Sequence, residues 1–154
     1  MQWLDEDEQR AWRAYLLSSQ LLDQALDRQL QRDAGMPHAY YAVLVALSEA
    51  PDRALRMSDL ARRLRYSQSR LTHAVTSMER SGWVQRHVCP TDRRGQTATL
   101  TDGGMQALTD AAPGHVSEVR ANVFDRLSTT QVRQLRRICE TLADGLDPTA
   151  EEGT

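Results

Sequence analysis

The chain has 154 residues, 40% of them apolar and 26% charged, with a formal net charge of −2. This suits one ordinary domain or a small pair of domains, is too apolar for intrinsic disorder, and is too interrupted for a membrane span. The longest aliphatic run, Ala42 to Leu47, is six residues against the roughly 20 a bilayer requires. The acidic opening Asp5-Glu6-Asp7-Glu8 is unlike a signal peptide, and two cysteines without CxxC spacing exclude a disulfide scaffold, so a cytoplasmic protein is expected.

The elements follow in chain order. Trp12, Tyr15, Leu16, Ser19, Leu22, Leu26 and Leu30 recur at helical spacing and predict a long amphipathic helix over Asp7 to Gln31, broken by Gly35 and Pro37. Pro37 in the first turn of a second helix precedes Tyr41, Val43, Leu44 and Leu47, with a stop at Pro51. Ser58 reads as the N-cap of a short helix to Leu64, and after a turn at Arg65-Tyr66-Ser67, Ser67 caps a fourth helix from Gln68 to Arg80. Past Gly82 the period changes. Trp83–Val88 and Gln96–Leu100 read as two strands joined by a charged turn, Cys89 to Gly95. Thr101 should cap a long helix with Met105, Leu108, Ala112, Val116, Val119, Val123 and Leu127 inward and a bend at Pro113. Ser128-Thr129-Thr130-Gln131 has capping-box spacing for a last helix carrying Val132, Leu135, Ile138, Leu142 and Leu146, followed by a polar tail.

Charge is unevenly distributed along these elements. Residues 1–50 carry four Arg against eight acids, residues 51–100 ten against four, and residues 101–154 five against nine. Every one of the basic residues is Arg. A guanidinium pairs bidentately with phosphate and guanine, so a basic centre between acidic flanks points to nucleic acid, with these ten groups gathered on one side.

A short helix, a tight turn, a second helix and a basic-tipped hairpin describe a winged helix-turn-helix. A helix about 10–12 Å wide fits the major groove, and small hydrogen-bonding side chains with Arg suit its groove face. Ser69, Arg70, Thr72, His73 and Thr76 supply that face, and the amides at Gln68 and Ser69 can meet a phosphate. Arg93 and Arg94 at the wing tip, beside Asp92 and before Gly95 and Gln96, suit an adjacent minor groove. Ser58, Ser67 and Gln68 complete the candidate DNA-binding set.

The sequence resembles the MarR family of transcriptional regulators over nearly its whole length, most specifically in Asp92-Arg93-Arg94-Gly95 followed by Leu100-Thr101. Met57-Ser58-Asp59-Leu60-Ala61, the helix from Ser67 to Glu79, Gly82-Trp83-Val84 and the Cys89-Pro90-Thr91 approach support the likeness, the last being of an actinobacterial type. The resemblance implies a mainly α fold with a small β wing, and a homodimer on double-stranded, pseudo-palindromic operator DNA. It further implies repression relieved by a small, often phenolic effector. Residues 1–36 and 102–147 would be dimerisation helices, 37–101 the DNA-binding region and 148–154 a flexible tail, with two recognition helices about 34 Å apart.

Other residues carry alternatives. Trp12, Tyr15, His38, Tyr40 and Tyr41 read either as core packing or as a ligand cleft. His87 and Cys89 share a strand face but are too few for a metal site, and no metal or cofactor is expected. Cys89 beside the wing arginines suggests redox sensing, yet peroxide-sensing relatives hold their cysteine in the first helix, where this chain has Tyr15; Cys139 is expected to be buried. No nucleophile elbow, zinc-protease, Walker or dinucleotide motif is present, so an enzyme is not expected. A ligand-binding protein without operator binding and an effector-independent DNA-binding protein remain the alternatives.

Overall fold

The structure is a computed structural model that describes residues 1–89 and 92–146, without the side chains of residues 89 and 92–94. The predicted turn at Pro90 and Thr91, and the predicted tail, lie outside the described residues. Six helices and three strands follow in the order α1 (Glu6–Ala34), α2 (His38–Ser48), β1 (Ala54–Arg56), α3 (Met57–Leu64), α4 (Gln68–Arg80), β2 (Val84–Cys89), β3 (Asp92–Leu100), α5 (Asp102–Asn122) and α6 (Thr129–Leu146). The architecture is the expected one, mainly α with a small antiparallel wing.

Helix α1 starts one residue earlier than its apolar period suggests. The Asp5 carboxylate accepts the Glu8 N–H at 2.8 Å and Glu8 accepts the Asp5 N–H at 2.8 Å, a reciprocal capping box hidden inside an acidic run. At its other end Gly35, φ 62°, takes the left-handed turn that releases the chain. Only Leu26, Gln29 and Leu30 of α1 are buried. Pro37 is the N-cap of α2 and not its first helical residue. The missing cap bond is supplied from α1, whose Asp27 accepts the His38 N–H at 2.9 Å.

The core is built on α2. Val43, Leu44 and Leu47 meet Leu60 and Ala61 of α3, Leu71, Val75 and Met78 of α4, and Val84, Ala98 and Leu100 of the sheet. Two expectations around α3 need correction. Ser58 is not its N-cap; Arg56 is, with no side-chain capping bond to the helix, because Met57 is already helical and buried in the core. The chain also enters α3 from β1, unforeseen because three residues carry no readable alternation. Strand order is β1-β3-β2, with Leu55 opposite Ala98 on one side of β3 and Arg86 opposite Ala98 on the other. Strand β3 extends back to Asp92, so Arg93, Arg94 and Gly95 belong to a strand and not to a long turn.

Thr101 fastens the sheet to α5. Its Oγ1 donates to the Gly82 carbonyl at 2.6 Å and accepts the Gly104 N–H at 3.0 Å. Gly104 is required there, since a Cβ would lie 2.1 Å from the Trp83 carbonyl oxygen. Helix α5 is one helix from Asp102 to Asn122 with Pro113 inside it, and Ala111, not Ala112, is its buried alanine.

The chain divides into two units, residues 1–116 and 117–154. In the second, Ser128 and Gln131 form the predicted capping box on α6, at 2.9 and 3.3 Å. No described residue of this unit is buried. Leu135, Ile138, Leu142 and Leu146 form an exposed row on α6, and Cys139 beside them is exposed too, contrary to expectation. In the first unit Trp12, Tyr15, Leu16, Leu17 and Leu21 are likewise exposed on α1. Both rows have the spacing of a buried face, and each is uncovered in its own unit.

Gly104→Ala should therefore destabilise the fold by at least about 1–3 kcal/mol, because backbone opposes the added carbon. In Gly145→Ala the added methyl meets open space, and helix propensity should raise stability by about 0.5–1 kcal/mol. Thermal melts at one fixed protein concentration check both signs.

Candidate nucleic-acid interface and adjacent cavity

Helix α4 has two unlike faces. Leu71, Ala74, Val75 and Met78 are buried, while Gln68, Ser69, Arg70, Thr72, His73 and Arg80 are exposed. The Ser67 hydroxyl accepts the Arg70 N–H at 3.2 Å, which starts the helix at its predicted residue. Arg65 at φ 53° and the Tyr66 N–H, donating to the Ala61 carbonyl at 2.9 Å, fix the turn between α3 and α4. Ser58 is exposed in the first turn of α3, and Gln96 is exposed on β3. The backbone brings Asp92, Arg93, Arg94 and Gly95 onto the wing; the first three side chains lie outside the described residues.

Thr76 differs from the rest of the predicted face. It is half-buried and its hydroxyl accepts from Arg86 Nη2 at 3.2 Å. Arg86 belongs to β2, and Glu79 grips it: Glu79 accepts the Arg86 backbone N–H at 3.0 Å, Nε at 2.9 Å and Nη2 at 2.5 Å. These bonds tie α4 to the wing, and the Arg86 guanidinium holds the Glu79 carboxyl below its ordinary value. Sequence reasoning misses this pair because it counts Arg86 among charges for a polyanion. Arg53, Arg62, Arg63 and Arg86 are paired with Asp102, Asp59, Glu49 and Glu79, so at least these four central arginines already have carboxylate partners within the chain.

A shallow, solvent-open cavity of about 310 Å³ lies between α2, α3 and α5, lined by Tyr41, His38, Val45, Glu49, Arg63 and His115 among others. The Tyr41 and His115 rings are 4.3 Å apart and those of His38 and His115 are 5.4 Å apart. Burial, followed by the neighbouring His38, pushes the His115 pKa down, and burial pushes the Tyr41 hydroxyl up. Both therefore face the cavity uncharged at neutral pH, and His115 Nδ1 is buried without a hydrogen-bond partner. Arg63 of α3 and Glu49, the residue that follows α2, form an ion pair at its edge.

The structure brings only His38 and Tyr41 of the predicted aromatic cluster to this cavity. Tyr40 packs half-buried against the core. Trp12 and Tyr15 stack on each other at 6.0 Å on the exposed stretch of α1. Tyr15 precedes Asp27, the residue that contacts His38, by a stretch of helix about 18 Å long at 1.5 Å per residue. Sequence proximity to a predicted junction is a poor guide here because α1 is one uninterrupted helix from Glu6 to Ala34. His115, the missed residue, had no signal beyond its place in an amphipathic helix. Among the described residues no three metal-ligating side chains cluster, and no helix is long and apolar enough to cross a membrane.

The fold and the two-faced α4 beside a basic wing define a winged helix-turn-helix protein. Residues 34–95 match the MarR family. Over 96% of its length the chain is similar to Sco3205, a MarR family transcriptional regulator from Streptomyces coelicolor crystallised in complex with DNA, with 52% identity, a TM-score of 0.92 and 93% of that chain covered. It is also similar to AbsC, a MarR family transcriptional regulator from the same organism, at 38% identity and a TM-score of 0.88 over 95% of this chain and 98% of that one. Against the transcriptional repressor MprA of Escherichia coli it is 26% identical over 119 residues, 77% of this chain and 67% of MprA. The chain belongs to the MarR family and is a transcriptional regulator, not an enzyme.

The lowered pKa of Glu79 fixes a pH dependence. Its contribution to stability is fully present above the ordinary value of 4.5 and is lost as pH falls from there through the lower folded value. Glu79→Gln should cost about 1.5–3 kcal/mol at neutral pH and flatten the acid limb of stability, read from urea midpoints across pH 3 to 7. An unchanged acid limb would mean that Arg86 does not hold Glu79 in this way.

Proposed function

We propose that the chain is a homodimeric repressor acting in the cytoplasm on a pseudo-palindromic operator, released by a small phenol-like ligand in the α2–α3–α5 cavity. The carrying observation is the division of α4 into a buried apolar face and an exposed face of Gln68, Ser69, Arg70, Thr72 and His73. In this reading that face enters the major groove, Ser58 and the Ser67-capped helix start meet phosphates, and Arg93 and Arg94 reach the minor groove, with Asp92, Gly95 and Gln96 shaping the wing. Thr76 contributes through Arg86. Sco3205 in complex with DNA and the repressor MprA support the reading.

Dimerisation through residues 1–36 and 102–147 accounts for the uncovered rows. Ile138 is 57% exposed in the single chain, and fully burying such a side chain is worth roughly 1.5–3 kcal/mol. A twofold pair would set two copies of α4 one DNA turn apart and hold the acidic ends of the chain away from phosphate.

Release is a population shift. The cavity wall includes α3, which braces α4, so a ligand that prefers one spacing of α3 and α2 weakens DNA binding by its differential affinity for the two states. An uncharged, flat molecule suits the neutral Tyr41 and His115 rings in the cavity wall.

Fluorescence anisotropy with DNA flanking the chromosomal gene tests the reading. Arg94→Ala should weaken binding and lower the salt slope by about one unit per lost phosphate contact. Ile138→Glu should yield monomers by sedimentation and lose operator binding, with helical content kept. A wild-type protein that binds all duplexes alike would contradict the proposal.

A further inference from the structure

We infer that Tyr66 is the positioning residue that makes Arg70 a reader of guanine, so that each operator half-site carries a G·C pair recognised through this stacked couple. The inference rests on the DNA-binding reading above and adds a residue and a base to it. Arg70 is the third residue of α4, and its Cζ lies 4.1 Å from the centroid of the Tyr66 ring.

Both halves of the couple are held. The Arg70 backbone is fixed by the Ser67 hydroxyl at 3.2 Å. The Tyr66 backbone is fixed by the left-handed Arg65 and by its own bond to Ala61, and its ring is half-buried against the core. An exposed arginine ordinarily gives up rotamer freedom when it docks; one already laid on an aromatic ring has given up much of it beforehand. A guanidinium whose carbon lies 4.1 Å over the ring can face it with its plane, which leaves the N–H groups in that plane for a paired acceptor. O6 and N7 of guanine form such a pair in the major groove, and the N-terminal residues of a recognition helix are those that reach base edges.

The test starts with wild-type protein and a random duplex library, from which a preferred half-site is selected. Each guanine of that site is then replaced by 7-deazaguanine, which removes N7 alone, and affinities are measured by anisotropy. We expect one guanine per half-site whose replacement weakens wild type by about tenfold. Tyr66→Phe should keep that penalty, Arg70→Ala should abolish it, and Tyr66→Leu should cut it to about twofold. The penalty is a ratio within one preparation, so partial unfolding of Tyr66→Leu does not move it. A full penalty in Tyr66→Leu overturns the positioning role. A uniform loss of affinity in Arg70→Ala, with the tenfold penalty intact, assigns Arg70 to phosphate and overturns the guanine reading. If wild type selects no site at all, the DNA-binding proposal fails first and takes this one with it.

Discussion

A helix can present a groove-reading surface only if its other side is held, and in this protein the holding is the burial of Leu71, Val75 and Met78 against α2, α3 and the sheet. All three are fully inaccessible. Everything offered by the exposed face of α4 depends on that fit, because side chains aimed from a loosely packed helix would each lose conformational entropy on docking. The two ends of α4 are held by polar contacts: Ser67 and the Arg65–Tyr66 turn at the start, and the grip of Glu79 on Arg86 near the finish. The grip also ties β2 of the wing to the helix, so the two proposed DNA-contacting elements share a direct polar link.

The same division of labour changes the meaning of the charge pattern. The excess of arginine in residues 51–100 is real, but Arg53, Arg62, Arg63 and Arg86 are engaged by carboxylates of the fold. Net charge measures the field a polyanion meets at a distance; it does not say which guanidinium touches it. The Arg63–Glu49 pair spans α2 and α3 at the cavity, which makes it a structural link between the proposed ligand site and the brace of the recognition helix.

Much of this is legible in the sequence where a local rule and a tertiary demand agree. The bounds of α4 follow from Ser67 as a cap and from apolar residues at helical spacing, and the Ser128–Gln131 box places the start of α6. Failures cluster where a local signal is outweighed. Ser58 looks like a cap, but the buried Met57 is already helical; β1 is held by pairing with β3 and has no pattern of its own. Trp12 and Tyr15 look like neighbours of His38, yet several turns of α1 separate them from it. Thr76 and Arg86 look like residues for a polyanion and are bonded to each other, a long-range relation that composition cannot carry.

The central claim is that two copies of this chain present two copies of α4 to one duplex. Hydroxyl-radical footprinting on the selected operator, with the stoichiometry of the complex measured by sedimentation on the same sample, tests it most directly. The account predicts two chains per duplex and two protected patches with centres about 10–10.5 base pairs apart on one side of the DNA. One chain per duplex, or a single unstructured zone of protection, would contradict it.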